Sequence, residues 1–289
     1  MITAIECLPC FLRQTLDATR LAALNHESQE RIIRKVLLLM AEMDLHQSPP
    51  EMAQQIHRII REITGVEDPY KQVKEQLNKT AMNLYPELKD RVKSAKDPLM
   101  MAVRLAISGN AIDMGANGNL QDADVGKALK KALIEPFYGD VENFRRALDQ
   151  AKSILYLADN TGEIVFDRIL IEQISPDRVT LVVRGGPVIN DATMADALFV
   201  GLDRFVKIID NGSDAPGTLL SDCHEAFQHH FSQADMIIAK GQGNYESLSD
   251  VTGNLFFLFK VKCSVIGKYV DQPLGTQVLV QSKCPTKEF

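Results

Sequence analysis

Apolar residues recur every three or four positions along the first hundred residues, which is the spacing of one buried face of an α-helix. One helix is predicted to begin after Ser48-Pro49-Pro50 and to end at Gly65, because proline favours the first helical position and glycine follows the last. Its apolar stripe comprises Met52, Ile56, Ile59, Ile60 and Ile63. Ser28 is predicted to cap the preceding helix. The pattern predicts an all-helical domain over 1–108, followed by a helical connection over 109–150.

After residue 151 the pattern changes to short apolar runs separated by helix-like segments. The runs occupy positions 154–158, 179–183, 205–209, 236–239 and 255–259. Strands that alternate with helices indicate a parallel sheet whose strands are joined by helical crossovers. Residues 151–289 are therefore predicted to form an α/β domain with a mostly parallel sheet.

Polar residues follow each of these runs, and glycine accompanies most of them. The segments that follow are Asp159-Asn160; Arg184-Gly185-Gly186-Pro187 with Asn190-Asp191; Asp210-Asn211-Gly212-Ser213-Asp214; Lys240-Gly241-Gln242-Gly243-Asn244; and the region of Lys260 and Lys262. The carboxyl ends of parallel strands meet at one edge of a sheet, where open α/β sheets bind ligands. These side chains are therefore expected to converge on a single crevice.

The converging side chains suit a divalent cation and a phosphoryl group. Asp159, Asn160 and Asp191 offer hard oxygen atoms without a neighbouring thiol or imidazole, which favours Mg²⁺ or Mn²⁺ over a structural zinc ion. Glycine-rich turns expose backbone N–H groups to anions, and Lys240 adds a point charge. Each feature alone is more often structural, since Asp and Asn commonly cap turns and helices. Their coincidence at one edge indicates phosphoryl chemistry.

Six motifs, taken together and in order, resemble one known family. They are Cys7-Leu-Pro-Cys10; Gly109-Asn110-x-x-Asp113; Asp159-Asn160-x-Gly162-Glu163; Arg184-Gly-x-Pro187 with Asn190-Asp191-Ala-Thr193; Asn211-Gly-Ser213; and Lys240-Gly-x-Gly-Asn244-Tyr245-Glu246. The combination is similar to the damage-control metal-dependent phosphatases, also described as acidic-residue-methyltransferase-like proteins, in the mainly prokaryotic branch with an N-terminal C-x-x-C. The resemblance covers nearly the whole chain. It implies a Rossmann-like three-layer α/β domain, an N-terminal all-helical domain and divalent-cation-dependent hydrolysis of phosphorylated metabolites.

Matching motifs carry the family's functional residues onto this chain. The resemblance implies that Asp159, Asn160 and Asp191 bind the metal ion, with Mg²⁺, Mn²⁺, Co²⁺ or Ni²⁺ as candidates, and that Asp159 and Lys240 take part in catalysis. Asn110 and Asp113 are implied contacts at the domain interface. The implied phosphate- or substrate-binding residues are Gly162, Glu163, Asn190, Ser213, Lys240, Asn244 and Lys262, with Lys260 as the competitor of the last.

The reaction expected from these residues is hydrolysis of a small phosphomonoester, such as a sugar phosphate or a related phosphometabolite, by metal-assisted attack of water. A covalent role of Asp159 stays open, although the aspartyl-phosphate pattern places a second aspartate where Thr161 stands. Two further classes stay open: an S-adenosylmethionine-dependent carboxyl methyltransferase, and a non-catalytic sugar-phosphate- or nucleotide-binding protein. The methyltransferase class calls for an acidic residue after the second run, where Arg184 stands.

Composition and charge restrict the classes of binding partner expected for this chain. The chain has 289 residues, 45% hydrophobic content and a formal net charge of −6. An acidic balance without a Lys/Arg block argues against a nucleic-acid partner. No apolar run approaches the roughly 18 residues of a membrane span, and the amino terminus lacks a signal-type segment. A cytoplasmic protein without membrane contact is expected, with a small phosphorylated metabolite as its partner; the oligomeric state is not predicted.

Five cysteines, an odd and thinly spread set, do not indicate a secreted disulfide framework. Cys7 and Cys10 form a C-x-x-C pair. Such a pair is half of a second metal site, a redox dithiol, or two ordinary thiols at the start of a helix. The sequence leaves these alternatives open.

Overall fold

The amino-terminal part of the described chain is helical. The computed structural model describes residues 1–22, 24–109 and 133–282. Asn110 and Asp113, the two expected interface residues, lie outside the described residues. After a 3₁₀ turn at Ile5–Cys7, the helices up to residue 109 are α1 (Leu8–Leu21), α2 (His26–Glu42), α3 (Pro49–Thr64), α4 (Lys71–Lys93) and α5 (Pro98–Ser108).

Local capping explains where these helices begin and end. Ser48 starts α3 through a capping box, in which its backbone N–H donates to the Glu51 carboxylate at 2.6 Å. Gly65 ends α3 in the left-handed conformation with φ of 67°, as predicted. The predicted cap of α2 at Ser28 is wrong. Asn25 caps this helix by accepting from the backbone N–H of Ser28 at 2.9 Å, because the first turn already begins at residue 26.

The described strands form one seven-stranded sheet in the order β1-β7-β6-β5-β2-β3-β4. They are β1 (Phe137–Gly139), β2 (Ile154–Leu157), β3 (Val179–Val183), β4 (Lys207–Asp210), β5 (Met236–Lys240), β6 (Leu255–Lys260) and β7 (Gln277–Gln281). Every neighbouring pair is parallel except β6 and β7. The predicted α/β class with a mostly parallel sheet is confirmed, whereas β1 and β7 are absent from the sequence-based prediction.

Helices cover both faces of this sheet and give three layers. Those of the second half are α6 (Val141–Gln150), α7 (Glu163–Gln173), α8 (Met194–Phe199), α9 (Glu225–Gln233), α10 (Gly241–Leu248) and α11 (Ser264–Val270). Alternate residues of β2 serve the two faces: Ile154 and Tyr156 join one apolar core, and Leu155 and Leu157 join the other. Among the described helices, none is long and apolar enough to cross a bilayer.

The helical part contributes to two different cores. Residues of α4 and α5, such as Leu88 and Leu105, share the first core with the sheet and with α7. The helices α1, α2 and α3 form a separate cluster around Ile32, Met52 and Ile56. Helix α3 therefore packs beside the loops that leave the sheet.

Hydrogen bonds and ion pairs join α3 to the loop after β4. Asp214, in that loop, accepts hydrogen bonds from Arg58 at 2.6 Å and Gln54 at 2.7 Å, and it also pairs with Arg61. Burial acts to raise the pKa of Asp214, but the bonds from Arg58 and Gln54 outweigh it, so the pKa lies below the usual value. The ionised form of Asp214 therefore stabilises the folded state.

We expect Asp214→Asn to lower the free energy of unfolding by about 1.5–3 kcal/mol at pH 7, because hydrogen bonds to a charged group are lost. This stabilisation is complete above the unfolded-state pKa near about 4 and disappears as the pH falls through the lower folded-state pKa. The difference between wild type and variant should therefore shrink as the pH falls below about 4. Urea unfolding at stepped pH measures it, with the exposed Asp177→Asn as control. A difference that grows on acidification would contradict the prediction.

Candidate metal and substrate site

The three predicted metal ligands lie on two adjacent loops. Asp159 and Asn160 follow β2, and Asp191 lies in the loop after β3, the neighbouring parallel strand. The backbone N–H of Ala192 donates to the carbonyl of Asp159 at 2.8 Å, and Asn160 and Asp191 form an isolated antiparallel bridge. All three ligand residues are at most 7% exposed. The structure therefore brings together residues that are 32 positions apart in sequence.

Arg184, the first residue after β3, lies between the two carboxylates. Its Nε donates to Oδ2 of Asp191 at 2.7 Å, and its Nη2 lies 3.8 Å from Oδ1 of Asp159. Burial raises the pKa of Asp191 to about 7, and the charge of Asp159 adds to this while Arg184 opposes it. Two carboxylates buried this closely favour a positive charge beside them. In the sequence, Arg184 is part of a motif and argues against a methyltransferase, but its bond to Asp191 is not predicted there.

The donor set fits a hard divalent cation. Asp159, Asn160 and Asp191 provide two carboxylates and a carboxamide, and Mg²⁺ or Mn²⁺ completes such a set with water. Gly241, with φ of 79°, packs against this set: a Cβ atom there would lie 1.9 Å from Oδ2 of Asp159. The described residues contain no group of three or more His, Cys, Asp or Glu that could hold a metal ion. The predicted set differs from such a group because its third member is an asparagine.

A cleft of about 410 Å³ opens at this edge of the sheet, bordered by the beginnings of α1 and α3. Asp159, Asn160, Asn190 and Asp191 line its inner wall. Its opposite side is formed by residues of the helical part, such as Phe11. The cleft lies where parallel sheets bind ligands. Of the five segments predicted to converge, those after β2, β3, β5 and β6 contribute residues to its lining, whereas residues 210–214 after β4 do not.

The two lysines near the end of β6 lie in different environments. Lys262 lines the cleft and is exposed. Lys260 instead pairs with Glu135, its Nζ donating to Oε1 at 2.7 Å. Of these two candidates for phosphate binding, the structure therefore places only Lys262 at the cleft.

Lys240 is fully buried behind the cleft. Its Nζ donates to the carbonyl of Ala106 at 2.8 Å and to the carboxylates of Glu163 and Asp167, each at 2.6 Å. Burial acts to lower the pKa of the ammonium group, but the two carboxylates outweigh it and raise the pKa. The expectation that Lys240 and Glu163 contact phosphate is therefore corrected: the ammonium group of Lys240 bonds the carboxylates of Glu163 and Asp167, and these groups contact one another rather than the cleft.

Three further predicted substrate residues also lie away from the cleft wall. The hydroxyl of Ser213 donates to Asp222 at 2.6 Å. The carboxamide of Asn244 is fully buried, accepts from Thr218 at 2.8 Å and donates to the carbonyl of residue 240 at 2.7 Å. Gly162 takes φ of 78° at the start of α7. We interpret these residues as supports of the loop conformations, because internal partners occupy their polar groups.

Cys7 and Cys10 line the same cleft, at the start of α1. Cys7 is half-buried, and burial raises the pKa of its thiol. Cys263 lies in the same wall, where its sulfur is 3.7 Å from Nε2 of Gln242. Gln242 also donates to Glu246 at 2.8 Å. In the sequence, Cys263 is one of three distant cysteines that could complete a site with the C-x-x-C pair, and the structure places it in the wall of the same cleft.

Comparison with known proteins identifies the family. The model of the damage-control phosphatase ARMT1-like domain matches residues 3–278. The chain belongs to this family. It is 33% identical to a damage-control phosphatase of Archaeoglobus fulgidus, over 94% of this chain and 96% of that one. It is likewise 33% identical to damage-control phosphatase PH1575 of Pyrococcus horikoshii, over 96% and 97% of the two chains.

A solved structure agrees with this assignment. The chain superposes on the crystal structure of a DUF89 family protein, PH1575 of Pyrococcus horikoshii, with a TM-score of 0.88 and 31% sequence identity. The match covers 98% of this chain and 100% of the other. The predicted family resemblance is confirmed, and membership of the damage-control phosphatase family supports a phosphatase role for this chain.

Proposed function

We propose that this protein is a divalent-metal-dependent phosphatase that hydrolyses small phosphomonoesters, such as sugar phosphates and related phosphometabolites. The observation that carries the proposal is the meeting of Asp159, Asn160 and Asp191 on two hydrogen-bonded loops in the wall of a cleft. Two buried carboxylates would repel a phosphate dianion, and the single charge of Arg184 offsets only part of this repulsion, so a bound divalent cation would favour the approach of a phosphate to this wall. The relatives named as phosphatases support the same reaction class.

The roles divide between the two sides of the cleft. Asp159, Asn160 and Asp191 would hold Mg²⁺ or Mn²⁺, or Co²⁺ or Ni²⁺ in their place. When bound, the cation supplies polarisation of a phosphoryl oxygen and lowers the pKa of a coordinated water. Arg184 restrains the carboxylate of Asp191 through the bond from its Nε to Oδ2. Lys262 attracts the phosphate dianion into the cleft and offsets its charge.

The direct test is phosphate release by the purified protein from a panel of sugar phosphates, with and without added Mn²⁺, Mg²⁺, Co²⁺ or Ni²⁺. We expect release that depends on the added cation and stops with a chelator. Calorimetry with S-adenosylmethionine tests the methyltransferase alternative, and calorimetry with the same phosphates tests the alternative of a non-catalytic binding protein. Binding of S-adenosylmethionine, or tight phosphate-ester binding without turnover under every metal condition, would overturn the proposal.

Lys262→Met should raise the KM for a phosphomonoester by about tenfold with a smaller change in kcat, because a charge on the cleft wall acts mainly on substrate capture. Lys260→Met is the matched control, since its ammonium pairs with Glu135 away from the cleft. Steady-state kinetics with saturating Mn²⁺ measure both variants. An equal rise of KM in both variants, or an effect of Lys260→Met alone, would contradict the assignment of Lys262.

A further inference from the structure

Asn78, in the middle of α4, contacts the loop that carries two of the proposed metal ligands. It is only 2% exposed, and its Oδ1 accepts a hydrogen bond from the backbone N–H of Gly162 at 3.0 Å. A Cβ atom on Gly162 would lie 3.3 Å from the carbonyl oxygen of Leu77. The turn after Asn160 therefore packs directly on the backbone of α4, and Asn78 fixes its distance from that helix.

The other half of the Asn78 side chain reaches the first turn of α8, the helix that follows the second ligand loop. Its Nδ2 donates to Oδ1 of Asp196 at 2.9 Å. The remaining oxygen of Asp196 accepts from both the backbone N–H of Thr193, at 2.9 Å, and the Thr193 hydroxyl, at 2.7 Å. Thr193 lies two residues after Asp191. One buried carboxamide thus joins the loop after β2 to the loop after β3.

A buried cation completes this support. Lys74, one turn before Asn78 on α4, is 4% exposed, and its Nζ lies 3.4 Å from Asp196 and 3.3 Å from Asp68. A buried carboxylate such as that of Asp196 is costly unless it is paired and hydrogen-bonded. Lys74, Asn78 and Thr193 together pair both oxygens of Asp196, so this buried carboxylate is satisfied within the connection between the two loops.

We propose that Asn78 is a positioning residue of the metal site: by holding Gly162 and Asp196 together, it sets the spacing between the loops that carry Asp159, Asn160 and Asp191. This inference rests on the proposed metal-dependent function. Partners behind the ligands orient them, and their loss typically lowers metal affinity by about 10–100-fold. The helical part of the chain would then determine metal affinity without contributing a ligand.

The test is the dissociation constant for Mn²⁺ alone, measured by electron paramagnetic resonance of the free ion. We expect Asn78→Leu, which has a similar volume and neither hydrogen bond, to weaken Mn²⁺ binding by about 10–100-fold. Tyr85→Phe is the matched control. It removes the 2.6 Å bond from Tyr85 to Glu172, which joins the same two helices, α4 and α7, away from the ligand loops. It should leave Mn²⁺ affinity unchanged.

A reciprocal exchange separates positioning from general stability. Asn78→Asp alone keeps the acceptor for Gly162 but sets a second carboxylate against Asp196, and it should weaken Mn²⁺ binding. Adding Asp196→Asn restores the bond between residues 78 and 196 with donor and acceptor exchanged, since the new amide donates to residue 78, while its oxygen still accepts from Thr193 as before. The ion pair of Asp196 with Lys74 is lost, but the carboxylate at residue 78 keeps one negative charge in the cluster. We expect the double variant to bind Mn²⁺ within about threefold of wild type, a recovery of at least about threefold if the single change costs tenfold.

The outcomes distinguish this inference from the function on which it rests. If wild type binds no Mn²⁺ and releases no phosphate with any of the four cations, the proposed function fails and the inference fails with it. If wild type binds Mn²⁺ and Asn78→Leu and Asn78→Asp bind it equally well, the inference alone is overturned. If thermal unfolding midpoints fall in the Asn78 variants while Mn²⁺ affinity stays at the wild-type value, Asn78 is a structural residue only.

Discussion

Asp159→Asn and Asp191→Asn should each lower kcat/KM for a phosphomonoester by at least about 100-fold, because loss of a partner behind a metal ligand already costs roughly 10–100-fold. Both changes preserve side-chain size, and each removes a negative charge from a buried set. Asparagine is a weaker ligand for a hard cation than aspartate. Phosphate release is measured at saturating Mn²⁺, with Asp177→Asn, on the surface, as the control.

Metal titration of the same variants distinguishes the two roles left open for Asp159. If Asp159 is a ligand, Asp159→Asn weakens Mn²⁺ binding together with turnover. If Asp159 is a covalent nucleophile, turnover disappears while Mn²⁺ binding stays near the wild-type value. Wild-type turnover in both Asp159→Asn and Asp191→Asn would contradict the proposed site itself.

The sequence could predict the neighbourhood of Asp159, Asn160 and Asp191 because it depends on a simple rule. Residues that follow adjacent parallel strands meet at one edge of a sheet, whatever their separation in sequence. The strand β2 is a continuous buried apolar run, and β3 departs from this only at Thr180, so their ends could be located within a residue. A backbone hydrogen bond from Ala192 to Asp159 then joins the two adjacent loops and brings the three residues together.

The two missed strands lack that signal. β1 contains only three residues, Phe137–Gly139, and none of them is buried, so an apolar period cannot be recognised. β7 is bounded by Gln277 and Gln281 and pairs antiparallel with β6, which the rule of alternating strands and helices does not predict. These two strands lie at one side of the sheet, and their positions depend on the pairing of β7 with β6 and of β1 with β7 rather than on a pattern in their own residues.

Side-chain direction was the main gap at the site. Lys240 ends β5, and alternate residues of that strand, Met236 and Ile238, belong to the core shared with α5 and α7. Because side chains alternate between the faces of a strand, Lys240 points into the same helical layer and away from the cleft. The alternation of side chains along β5 therefore predicts that Lys240 points away from the cleft, whereas the motif alone suggested a phosphate contact.

Asn78 and Asp196 carry no comparable signal in the sequence, since a contact between residues 118 positions apart is set by packing.

The buried cluster around Lys240 has a large expected effect on stability. Its ammonium group is 0% exposed, and it separates the carboxylates of Glu163 and Asp167, which are 2% and 0% exposed. Tyr156 donates a further bond to Asp167 at 2.8 Å. Removing one partner of such a cluster leaves a buried charge uncompensated, which costs about 3–5 kcal/mol. Replacing all of the charges by neutral groups of similar shape avoids this penalty.

Lys240→Met should therefore lower the free energy of unfolding by about 3–5 kcal/mol in urea denaturation at pH 7. Adding Glu163→Gln and Asp167→Asn to this variant should recover most of the loss, because no unpaired buried carboxylate remains. Lys35→Met, which removes an exposed pair with Glu62, is the control and should change stability by about 0.5 kcal/mol or less. A loss in Lys240→Met no larger than that of the control, or a triple variant less stable than Lys240→Met, would show that the cluster does not hold this layer of the fold together.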